Sequence, residues 1–219
     1  MALTKYNYNS FDVTPVASKA MGFNSGANGL TTVTEGSMVL IKTLTASGDD
    51  TLEFEDGTDD VDLDNTYPIY VFKFINIHPS ADNPSFSFQG NAAGGSGYNE
   101  TMTSTFFETY HTEAGDATSF TYKTSGDQAQ GTSFQEICKP THENDNGVTG
   151  ELWLFNPSST TFVTHWMSKT QTINSDTYSV NDFTAGYFNL TGAIDEIQFK
   201  MSTGNMDSGT IKLYGIKDS

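Results

Sequence analysis

Gly209-Thr-Ile-Lys-Leu-Tyr-Gly-Ile-Lys217 is the stretch whose reading decides the fold. Ile211, Leu213 and Gly215 alternate with Lys212, Tyr214 and Ile216, a side-chain period of two that places one set on a buried face and the other on the opposite face. Working back from it, the same signature recurs in Met38–Thr45, Thr51–Glu55, Tyr67–His78, Ser85–Gln89, Thr101–Tyr110, Ser119–Lys123 and Ser133–Cys138. It continues in Gly150–Phe155, Thr161–Thr172, Gly186–Leu190 and Ile194–Met201. Breakers such as Asn144-Asp-Asn-Gly147 and Asn156-Pro-Ser-Ser159 separate these runs. This strand–turn rhythm predicts an all-β antiparallel β-sandwich, jelly-roll-like, over residues 37–219. The near-continuous apolar run Tyr67–His78 predicts a central strand covered on both faces.

Residues 1–36 differ. They mix isolated aromatics with Gly, Asn and Ser and show no sustained period, which predicts an extended N-terminal arm. Phe11, Val13, Pro15, Met21 and Phe23 are its candidate anchors, because a purely solvated tail has no use for them.

With 219 residues, a hydrophobic fraction of 36% and 13% aromatics, the chain has enough apolar material for one large sandwich domain. Its formal charge of −17 repels phosphate backbones and anionic lipid, so neither nucleic acid nor a membrane is an expected partner. The single cysteine, Cys138, reads as a small buried side chain. Met1-Ala-Leu-Thr-Lys5 lacks the apolar stretch of a secretory leader, so synthesis in a cytosol is expected.

The densest local feature is acidic: Asp49, Asp50, Glu53, Glu55, Asp56, Asp59, Asp60, Asp62 and Asp64 occur with no intervening basic residue. Asp60, Asp62 and Asp64 are the candidate metal ligands, since oxygen donors at this density suit Ca²⁺. On a strand they would share one face. The calcium-loop pattern nevertheless fails after them, with Asn65 where glycine is needed and Val71 where the closing glutamate belongs. A solvated acidic hairpin with no cofactor is the plainer reading.

Catalytic signatures are weak. His78, His111, His142 and His165 are far apart in sequence and lack metal-ligand spacing. His165-Trp166 sits mid-strand, so one of the pair is expected to be buried. Gly94-Gly-Ser-Gly97 begins like a nucleophile elbow, but Tyr98 occupies the second glycine position. Asp195 and Glu196 are adjacent and face opposite ways on a strand. Trp153, Trp166, Tyr98, Tyr110 and Tyr178 could form a sugar-stacking platform, although core packing explains both tryptophans more simply. An enzyme is not expected.

Five segments carry a resemblance: Tyr70-Val-Phe-Lys-Phe-Ile-Asn-Ile-His-Pro79, Leu154-Phe-Asn-Pro-Ser-Ser-Thr160, Phe183-Thr-Ala-Gly-Tyr-Phe188, Ile194-Asp-Glu-Ile-Gln-Phe199 and Ser208-Gly-Thr-Ile-Lys-Leu-Tyr-Gly215. Over roughly residues 37–216 the chain resembles structural proteins of tailed bacteriophages of marine and freshwater bacteria. The resemblance implies a virion component of β-sandwich type with no catalytic residues. The leading expectation is a capsid decoration, or cement, protein at the virion surface. It would bind the major capsid protein across several subunits through its arm and sandwich, as a homo-oligomer, a trimer before a dimer. The alternative is a tail-fibre or head-fibre module that adheres to host surface glycans through loops at Asn91–Tyr98 and Asp176–Asp182, at one end of the sandwich.

Overall fold

The computed structural model describes residues 21–23, 30–32, 36–140, 145–174 and 176–218. Among these there is no helix. The strands in chain order are β1 (Met21–Phe23), β2 (Leu30–Thr32), β3 (Met38–Thr45), β4 (Thr51–Glu55), β5 (Ile69–Pro79), β6 (Phe86–Ala92), β7 (Met102–Thr112) and β8 (Thr118–Tyr122). They continue with β9 (Ala129–Gly131), β10 (Gln135–Cys138), β11 (Val148–Phe155), β12 (His165–Ile173), β13 (Tyr178–Phe188), β14 (Ile194–Met201) and β15 (Met206–Ile216).

A four-stranded antiparallel sheet, ordered β10-β6-β14-β4, packs on a nine-stranded one ordered β3-β15-β5-β11-β12-β13-β7-β8, with β9 against β7. The quartets β3-β15-β5-β11 and β4-β14-β6-β10, between which the chain passes back and forth, are the two sheets of a jelly roll. Two insertions widen the first sheet. The β7–β8 hairpin with β9 follows β6, and the β12–β13 hairpin follows β11. The large sheet therefore extends well past the small one, and that overhang positions the features below.

The two sheets meet through alternating apolar side chains. Phe199 of β14 stands at the centre, with ring centroids 5.2 Å from Phe72, 5.3 Å from Phe74 and 6.2 Å from Phe54, all edge-to-face. Phe88 continues this layer to the Trp166 ring at 4.9 Å. Trp166 is fully buried while His165 is exposed, and Cys138 is buried too. Gly215 ends the inward set of β15 because a Cβ there would lie 2.3 Å from the Tyr67 ring.

Three expectations need correction. The apolar run in β5 is fully covered on one face and only in part on the other: Tyr70, Phe72 and Phe74 point into the core, while on the outer face Val71 is buried beside Tyr214 and Trp153, Lys73 is half-buried and Ile75 is exposed. Residues 176–182 are largely strand, as the start of β13, and their period was hidden because Asp182 and Thr184 point inward. Those residues lie beneath the overhang, where the filling is polar. Finally, Asn91–Tyr98 and Asp176–Asp182 are at opposite ends of the molecule. The Asn91–Tyr98 segment is tied to Ala193, beyond the C-terminal end of β13, by an Ala93 N–H donated to its carbonyl at 2.9 Å.

Candidate partner interface

An antiparallel sheet in a sandwich ordinarily shows polar side chains to solvent on its outer face. The large sheet mixes them with large apolar and aromatic side chains. Its register aligns a row across eight strands: Thr43, Lys212, Lys73, Glu151, Lys169, Phe183, Phe107 and Tyr122. The neighbouring row carries Leu40, Tyr214, Val71, Trp153, Met167, Ala185 and Thr105. The large apolar residues most exposed among those described are Met38, Leu40, Ile75, Phe120, Tyr122, Phe162 and Met167. All but Phe162 lie on this outer face. Six such residues on one face, interspersed with polar ones from edge to edge, make it the candidate contact surface.

The charge distribution is equally uneven. All ten basic residues are lysines, set against 27 carboxylates. Three of those lysines, Lys212, Lys73 and Lys169, stand in the one row, where Glu151 is the only acid. Lys212 and Lys73 are direct cross-strand partners, a like-charge pairing that costs stability. Lys73 donates a hydrogen bond to Glu151. Burial opposes ionisation of Glu151, but hydrogen bonds from Lys73 and Trp153 and the charges of Lys73 and Lys169 together hold its carboxyl below the usual range. Lys169 Nζ lies 5.4 Å from the Phe183 ring centre, and Phe183 stacks on Phe107 at 5.0 Å and 10°. Lys73, Glu151, Lys169, Lys212 and Tyr214 surround a shallow depression of about 490 Å³.

The outer face of the small sheet has the opposite character. Glu55 pairs with Glu196, Glu53 with Gln198, and Glu136 with Ser87 across adjacent strands. Tyr98 lies over this face. Burial first, then Glu53 and Glu196, push its phenol well above the ordinary tyrosine value. The protein is thus a plate with one acidic face and one face of lysines and aromatics.

Of the residues singled out by sequence, Phe11, Val13 and Pro15 lie outside the described residues. Met21 and Phe23 begin and end β1, which pairs antiparallel with β2 as a separate two-stranded sheet. Asp60, Asp62 and Asp64 are not on a strand but in the crossing from β4 to β5, where Val61 and Leu63 turn into the core and the aspartates face solvent. Burial and the neighbouring Asp64, Asp56 and Asp60 raise the Asp62 carboxyl, while the Thr66 amide, donating at 2.7 Å, helps hold Asp64 low. Among the described residues no three His, Cys, Asp or Glu side chains are grouped to hold a metal ion. The five candidate aromatics do not make one platform. Trp166 is in the core, Trp153 is half-buried on the outer face, Tyr98 covers the small sheet, and Tyr110 stacks on Tyr178 beneath the overhang.

The lysine row escaped sequence reading because it exists only through the register of four strands, β15, β5, β11 and β12. Its one sequence-level trace is the apolar length of Tyr67–His78, which predicts a strand with a second cover. No protein-family model, curated protein or solved structure matches this chain.

Proposed function

We propose that this chain is a bacteriophage virion structural protein, a capsid decoration protein that docks the outer face of its large sheet on acidic patches of the major capsid protein. The observation that carries the reading is that face itself: broad, apolar, aromatic, and bearing three lysines to one carboxylate on a chain of charge −17. Covering it would supply the second cover that the apolar length of β5 calls for and would offset the Lys212–Lys73 repulsion. The resemblance noted above supports the phage context. A jelly roll suits the role as a rigid plate, and residues 1–36 would add reach across neighbouring subunits.

Two measurements test this. Densitometry of purified particles should find the polypeptide in hundreds of copies; its absence from particles overturns the reading. Reversing Lys73, Lys169 and Lys212 together to Glu should weaken particle binding about a hundredfold or more, while the wild type loses affinity with added salt. Unchanged binding by a folded triple variant overturns the docking face, and concentration-dependent self-association through that face in particle-free solution makes a second copy the occupant instead.

One observation favours a second reading, a fibre module holding host glycans. A polar groove of about 740 Å³ on the small-sheet side is lined by Ser85, Ser87, Ser133, Ser202, Gln128 and Glu136. It is flanked by Phe134, with Lys200 4.1 Å from that ring. A copy number of a few to a few dozen per particle supports this alternative.

A further inference from the structure

Beneath the overhang, on the inner side of the large sheet and away from the docking face, lies a cavity of about 310 Å³. Asp182 of β13 lines it, 3% exposed, and its Oδ1 has no hydrogen-bond partner in the protein. A buried carboxylate with an orphaned oxygen is expensive unless something supplies a donor.

The charges around it can be accounted for. From β7, Glu108 faces Asp182 and is engaged by Lys123, which follows β8, at 3.0 Å. From β10, Glu136 forms an ion pair with Lys139 at 3.6 Å and accepts a hydrogen bond from the Ser85 hydroxyl, and Cys138 presents its thiol to Asp182. Lys123 also favours the Asp182 charge. The lining still carries a carboxylate excess, with Asp182, Asp176 and Glu108 set against Lys123 and Lys139.

The remaining walls are Tyr110 and Tyr178, stacked at 4.8 Å and 21°. Their mouth is fixed by Asn174, whose Oδ1 accepts the Asp176 and Tyr178 amides at 3.0 Å each. An anion is repelled here, and a neutral polyol leaves the charge uncompensated. An alkylammonium supplies N–H donors and a positive charge for the Asp182 carboxylate, and a partner for the tyrosine π faces.

We propose that this cavity binds a primary alkylammonium group, presented either by a free polyamine or by a lysine side chain of a partner. The site is independent of the docking face and stands or falls separately from the decoration reading.

Isothermal titration and NMR shift mapping of the full chain would use 1,4-diaminobutane, Nα-acetyl-lysine amide and, as neutral control, 1,4-butanediol. Either amine should bind with a Kd of about 1 mM or tighter, perturbing Tyr110, Tyr178 and Asp182. The tighter of the two identifies the source. Asp182→Asn should lose about 30-fold or more, and the variant's unchanged amide spectrum elsewhere shows that it folds. Binding should weaken about tenfold from pH 8 to 6 as Asp182, pushed up to about 7 by burial and then by Glu108 and Glu136, takes up a proton while the amine stays charged. Failure of both amines, or equal binding of the diol, overturns the proposal, as does full affinity in Asp182→Asn.

Discussion

Replacing Asp182 by Asn isolates the energetic consequence of one buried charge. Burial, reinforced by Glu108 and Glu136, pushes the carboxyl from 3.8 up to about 7. Between those values the folded protein holds a proton that the unfolded chain has released. The contribution of this one group to stability is therefore greatest below about pH 4, falls as pH rises towards 7, and is flat above. At about 1.4 kcal/mol per unit, ionising this group in the fold costs about 4 kcal/mol in full. The asparagine avoids that cost, but its own N–H donors, partly unpaired, give back about 1–3 kcal/mol. The variant should match wild type near pH 5.5 and exceed it by about 2 kcal/mol near pH 8.5, because most of the remaining titration lies in that window. Urea unfolding at several pH values gives the difference directly, and the titration of the other carboxylates cancels between the two proteins. Working above pH 5 keeps clear of the isoelectric point of about 4.2. A stability difference that does not change with pH would refute the reasoning, since the effect would then owe nothing to the Asp182 charge.

Other outcomes follow from packing. Phe199→Ala removes the ring around which both sheets close and should cost about 3–5 kcal/mol by denaturant unfolding. Gly215→Ala places a methyl 2.3 Å from the Tyr67 ring, which should cost about 1–3 kcal/mol and be partly relieved by Tyr67→Leu. Cys138 is fully buried, and burial, then Asp182, raises its thiol well above the usual value. It should react with a colorimetric thiol reagent only at the rate of unfolding, and prompt labelling of the native protein would contradict its placement.

Where an apolar core fills one side of a strand, the sequence states it plainly: β14 and β15 alternate as their residues require, and the strand–turn rhythm implies two sheets. Legibility fails where polar residues point inward. Residues 176–182 of β13 look like a loop in sequence because Asp182 and Thr184 occupy the inner face under the overhang. The reverse holds in β5, where outward Val71 is buried by its sheet neighbours but Ile75 is exposed, so an apolar run reads as more enclosed than it is. The lysine row could not be seen at all, because Lys73, Lys169 and Lys212 are brought together by pairing between strands nearly 140 residues apart (residues 73 and 212). Charge asymmetry across a sheet is a property of register, and register is settled by the whole core.

The place of β15 has a consequence for how the molecule is made. This last strand lies between β3 and β5, and β3 joins the sheet only through it. While the ribosome is still adding residues beyond Met201, the first strand of the sandwich has no neighbour and the β5 edge stays open. The sheet closes only when the final segment slides into that slot. Such late, long-range pairing makes folding slow and leaves the growing chain sticky.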